Sequence, residues 1–138
     1  MMRFLFLFRG GAFVSPSVLP GQRSAHRDTW RTWLNGLSAS GHLEPGGHPL
    51  DGTGRTVRGR ARALVEGPHA EGNDMVTGTL LILAANQDEA TALALGCPVC
   101  EYDGSVEIRP ILVVHAEGRL RRALGPSAPL GAARVAGL

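Results

Sequence analysis

The chain has 138 residues, enough for one hydrophobic core and too few for two. Its 14 basic residues are all arginine, which excludes a P-loop lysine, a Schiff-base lysine and a Ser-Lys nucleophile pair. The net charge of +2 resides at the C-terminal end, where residues 116–138 carry four arginines against Glu117, while the rest of the chain is close to neutral.

Residues 3–9 alternate, with Phe4, Phe6 and Phe8 on one face and Leu5 and Leu7 on the other. Both faces are apolar, so the segment reads as a strand covered on two sides, ended by Gly10-Gly11. From about Val18 to Ser40 the period becomes helical: His26, Trp30, Trp33 and Leu37 form one stripe, opposite a solvated face of Arg27, Asp28, Arg31 and Asn35. Ser17 is the expected N-cap and Gly41 the expected C-terminal stop. Half of residues 41–54 are glycine or proline, so this stretch reads as a loop.

Arg55–Arg58 and Ala61–Glu66 predict a hairpin turning near Gly59-Arg60. Met75–Ala84 reads as a longer apolar strand. Asn86 and Glu89 then form a capping box for a short helix over Gln87–Leu95, stopped by Gly96 and Pro98. Ser105–Val114 is the last predicted strand. The order β-α-β-β-β-α-β points to an α+β sandwich with one antiparallel sheet and two helices on one face. The second sheet face then lacks cover, which a second copy of the chain would provide, so a homodimer is expected. Residues 1–114 form the expected domain. Residues 115–138 read as a basic, Gly/Pro-rich tail, mobile or draped over a partner.

The only dense basic cluster of the body, Arg55, Arg58, Arg60 and Arg62, has no aromatic residue among it, so no nucleic-acid partner is expected. The apolar run Phe4–Phe8 is too short for a signal sequence or a membrane span, and two cysteines make no disulfide framework. The expectation is a cytoplasmic protein without a membrane partner.

Several local patterns occur in one order: Arg9-Gly10 closing the first strand, His26-Arg-Asp-Thr-Trp30, Gly41-His-Leu-Glu-Pro-Gly-Gly47, Arg55-Thr-Val-Arg58, Glu66-Gly-Pro-His-Ala-Glu71, Gly78-Thr-Leu-Leu-Ile82, Cys97-Pro98 and Gly104-Ser-Val-Glu-Ile-Arg-Pro110. Over about residues 2–112 the chain resembles the YCII-related proteins, and more closely the subgroup with a D-G-P-F motif. Here Glu66 stands for the motif's Asp and His69 for its Phe. The resemblance implies a ferredoxin-like unit that dimerises into an α+β barrel. It also implies an acid-base pair between a histidine on the first helix and an aspartate after the second. His26 matches the histidine. The second position falls at Cys97-Pro98, which lacks the acid, leaving Glu66 as the candidate to replace it.

On chemical grounds His26 is the foremost candidate, because an apolar setting near the positive end of a helix favours the uncharged, proton-accepting imidazole. Glu66 and His69, three residues apart in a Gly-Pro turn, could donate and accept a proton on one substrate. Arg9 and Arg58 would steady negative charge, Trp30 would stack on a ring, and Gly46 and Gly47 would offer backbone N–H groups. His42 and His48, with Glu44, are too loosely spaced to predict a metal site. Cys97-Pro-Val-Cys100 follows a helix stop rather than starting a helix, so no redox role is assigned. No cofactor is expected. The reading is a small-molecule cleft with isomerase- or lyase-like proton transfer through His26, Glu66 and His69. The alternative is a non-catalytic ligand-binding or accessory module associated with transcriptional regulation.

Overall fold

The alternation of phenylalanine and leucine in the first strand decides how the molecule is layered. In the computed structural model, which describes residues 1–115 and 118–125, strand β1 (Met2–Arg9) turns Phe4, Phe6 and Phe8 into the core and leaves Leu5 and Leu7 half-buried on the other face. β1 is flanked by β5 (Val76–Ala84) and β6 (Ser105–Pro110), both antiparallel to it. In register, Phe4 lies beside Ile82 and Phe6 beside Leu80 on one side, with Phe6 beside Ile108 and Phe8 beside Val106 on the other. Helices α1 (Pro20–Ala39) and α2 (Gln87–Ala94) cover this face with Trp30, Trp33, Leu37, Ala90 and Ala94.

The sheet's fourth strand is β2 (Leu43–Glu44), giving the order β2-β5-β1-β6. Two split β-α-β units interleaved in this way are the ferredoxin-like arrangement. The segment expected to be a loop therefore supplies the sheet's edge. His42 and His48 accept from the amides of Leu83 and Thr79, and Leu50 donates to Thr77, so residues 42–50 track β5 on both sides of Pro45-Gly46-Gly47. Proline and glycine suit an edge strand whose outer side must not pair with another chain.

The hairpin forms as expected, from β3 (Arg55–Arg58) and β4 (Ala63–Glu66), but as a separate two-stranded sheet. The last predicted strand divides at Ile111 into β6 and β7 (Leu112–Val114). β7 pairs with β8 (Leu120–Arg122), inside the stretch expected as a tail. Ala123 is buried there, its carbonyl accepts from the Arg3 amide at 3.0 Å, and the Arg3 guanidinium donates to the Leu124 carbonyl at 2.6 Å. Residues 118–125 are thus tied to β1. Residues 116–117 and 126–138, on which the rest of the tail reading falls, lie outside the described residues.

The helix ends follow local chemistry. α1 starts two residues after the expected site, with Leu19 at its N-cap, Pro20 at its first position and the Gln22 side chain accepting the Leu19 amide at 2.9 Å. Ser17 instead bonds Ser15 through their hydroxyls. At the other end Gly41, at φ +78°, donates to Ser38 while His42 donates to Leu37, a Schellman stop. At α2 the Asn86 side chain accepts the Glu89 amide, and the Glu89 carboxylate accepts the Ala85 amide, both at 2.9 Å.

Candidate functional site

The core face of β5 loses volume toward its beginning, passing from Ile82 through Leu80 to Gly78. β1 ends at the same level in Gly10-Gly11, and Gly47 faces it from the edge segment. Beside these glycines, under α1, lies a cavity of about 870 Å³, a size suited to a small organic ligand. Phe8, Trp30 and Leu34 form part of its apolar wall, and His26 reaches it from the helix.

His26 is 7% exposed and bonded on both ring nitrogens. Nδ1 lies 2.9 Å from the Glu101 carboxylate, and Nε2 lies 2.9 Å from the Trp30 indole nitrogen. An indole N–H only donates, so Nε2 accepts from Trp30 and the ring's proton on Nδ1 is donated to Glu101. The Tyr102 ring stands edge-on to the imidazole at 4.9 Å. Glu101 and Tyr102 sit on a short 3-10 turn, Pro98–Tyr102, which packs against α1. The arrangement is a proton acceptor oriented by a carboxylate, with a tryptophan on its acceptor lone pair.

Of the residues singled out from the sequence, His26, Trp30, Gly47 and His48 are brought together at the cavity. Glu66 and His69 are not: both are exposed, Glu66 on the hairpin paired with Arg55 at 3.1 Å, and neither lines the wall. Arg58 is exposed on β3, and Arg9 pairs with Glu107, both outside the wall. Arg9 and, less strongly, Arg109 hold the Glu107 carboxyl below its ordinary range through their hydrogen bonds. Gly46 and Gly47 serve close packing against β5. A Cβ on Gly47 would come within 2.5 Å of the Thr79 carbonyl oxygen and 2.8 Å of Leu80 Cα. Gly47→Ala is therefore expected to lower stability by about 1–3 kcal/mol, read from thermal or urea melts. An unchanged melt would contradict the packing role.

His42 and Glu44 have separate commitments. His42 Nδ1 lies 2.7 Å from the Leu83 carbonyl, and Glu44 pairs with Arg3 at 2.8 Å. Among the described residues no three His, Cys, Asp or Glu side chains gather as a metal-binding group. Cys97 is buried and its thiol is pushed up to about 12 by desolvation, so it stays protonated near neutrality; Cys100 is exposed.

The sequence reading missed Glu101 because it looked for the acid at Cys97-Pro98. The available signal was Pro98 as a helical first residue and Asp103-Gly104 as a stop, which together predict a turn that carries Glu101 back to α1. Arg27 is exposed, as its place on the solvated face predicts, and it also borders the cavity, which the sequence does not show.

The fold and the cavity define an α+β sandwich protein with a histidine–carboxylate pair at a pocket under its first helix. The family is equally plain: the model of the YCII-related domain matches residues 2–115, and the chain belongs to that family. Among solved structures the chain is similar to the 5-chloro-2-hydroxyhydroquinone dehydrochlorinase TftG from Burkholderia phenoliruptrix AC1100 in complex with 2,5-dihydroxybenzoquinone. The identity is 18% and the TM-score 0.48, over 80% of this chain and 93% of that one. No curated protein matches the chain. Among the described residues no helix is long and apolar enough to cross a membrane.

Proposed function

We propose that the protein carries out proton transfer on a small molecule bound under α1, with His26 as the base. The observation that carries this reading is the buried imidazole at the cavity wall with Glu101 on Nδ1. Glu101 fixes the tautomer and stabilises the imidazolium that forms when Nε2 takes a proton. Trp30 holds Nε2 until a ligand enters; once displaced, its N–H can donate to the oxygen on which negative charge develops. Glu101 takes the place that Glu66 and His69 hold in the sequence reading. The test is deuterium incorporation from D2O into a panel of enolisable cyclic ketones and lactones, followed by proton NMR. Faster exchange with the native protein than with His26→Gln supports the reading, and no difference across the panel overturns it.

The satisfied Nε2 favours one second reading, a binding module without chemistry, in line with an accessory role in transcriptional regulation. Saturable ligand binding without any exchange would select it.

The proposal includes a homodimer formed through the helix-free sheet face. Leu5 lies beside Leu81 there, Leu7 and Leu83 stand nearby, and all four are only half-buried. The hairpin adds exposed Val57 and Leu64, and an isolated two-stranded hairpin is marginal in water. Light scattering is expected to give twice the 14.5 kDa chain mass, and Leu81→Arg to give the single chain. A native protein that is monomeric at micromolar concentration overturns this part. A cytoplasmic setting is also proposed, supported by the free thiols of Cys97 and Cys100.

A further inference from the structure

The charge of the cavity wall is one-sided. Arg23 and Arg27 line it together with His26 and His48, and among the described residues no aspartate or glutamate does. The two arginines have different work. Arg23 donates to the Ala12 carbonyl at 2.9 Å and the Ser15 carbonyl at 3.1 Å, so its guanidinium holds the loop that closes one side of the cavity. Arg27 has no hydrogen-bond or ion-pair partner among the described residues, and the adjacent Asp28 is taken by Arg31 at 3.1 Å. Arg27 is exposed, so it stands at the solvent-open side of the cavity, where a guanidinium without a protein carboxylate is a counter-charge for something that enters. It stands one turn before Trp30 on α1, next to His26 in the chain.

The geometry points to an organic oxyanion with an apolar body, a carboxylate or an ionised hydroxyl, as the ligand class of this cavity, with Arg27 as the residue that reads its charge. The apolar body lies against Phe8, Leu34 and Phe13, while the oxyanion accepts from the Arg27 fork. This inference rests on the proposed function only in taking the cavity under α1 as the ligand site.

The experiment is equilibrium calorimetry with three probes: cinnamate, 4-nitrophenolate, and cinnamamide as the neutral match of cinnamate. The native protein is expected to bind at least one oxyanion about tenfold or more tightly than cinnamamide. The oxyanion that wins distinguishes a carboxylate from an ionised hydroxyl. Arg27→Gln is expected to abolish the preference while leaving cinnamamide affinity within about twofold, and Arg60→Gln, an exposed turn residue of equal charge, to keep the preference. Equal binding of cinnamamide and both oxyanions, a preference that survives Arg27→Gln, or no binding of any probe overturns the inference. The readout involves no turnover. Oxyanion preference without deuterium exchange would overturn proton transfer alone, and exchange without oxyanion preference would overturn this inference alone.

Discussion

His26→Gln is expected to slow deuterium exchange by about 10²–10⁴-fold, the contribution of a positioned general base. Glutamine keeps a hydrogen-bonding side chain of similar reach but has no basic nitrogen, so the cavity survives and the proton acceptor does not. Glu101→Gln separates orientation from charge. The amide oxygen can still accept from Nδ1, but no negative charge remains to stabilise the imidazolium, so a loss of about tenfold to a hundredfold is expected. Glu66→Gln is expected to leave the rate unchanged, because Glu66 lies on the exposed hairpin outside the cavity wall. The ordering of the three variants is the decisive result. A large loss with Glu66→Gln and none with Glu101→Gln would return the acid role to the Gly-Pro turn and overturn the pairing.

That contrast shows how far the site was legible. His26 and Trp30 could be found because a period of 3.6 places them on one buried stripe, and histidine on such a stripe needs a reason. Glu101 could not be found from periodicity. It reaches His26 across 75 positions of sequence through a single 3-10 turn, and a turn of that length leaves almost no hydrophobic signature. Arg27 is exposed, as helical patterning predicts, but that pattern does not show that a cavity opens beside it.

The fold was more legible where burial dominates. β1, both helices and β5 are set by strong apolar patterns and by caps at Asn86 and Gly41. β2 was not, because its two residues sit in a Gly/Pro-rich stretch whose backbone pairs with β5 only through tertiary contact. The hairpin was found but placed in the wrong sheet, since local alternation shows pairing within the hairpin and not what lies beside it.

The two-faced first strand gives the largest stability prediction. Phe6 is fully buried between Leu80 and Ile108, and Phe6→Ala would leave a cavity at the centre of the helix-side core. A loss of about 3–5 kcal/mol is expected, or roughly 10–15 °C in the melting temperature. Because that core is complete within one chain, the loss should be the same at every protein concentration. Leu7, the next residue, points to the opposite face and is half-buried. Leu7→Ala removes contacts within the chain and, in the proposed dimer, contacts across the interface as well. Its loss should therefore grow with protein concentration, as mass action requires of a group that stabilises only the associated state. Melts of both variants and of the native chain over a hundredfold range of concentration separate the two faces. A concentration-dependent Phe6 effect would place the helix side in the interface, and a concentration-independent Leu7 effect would mean that no second chain covers the sheet.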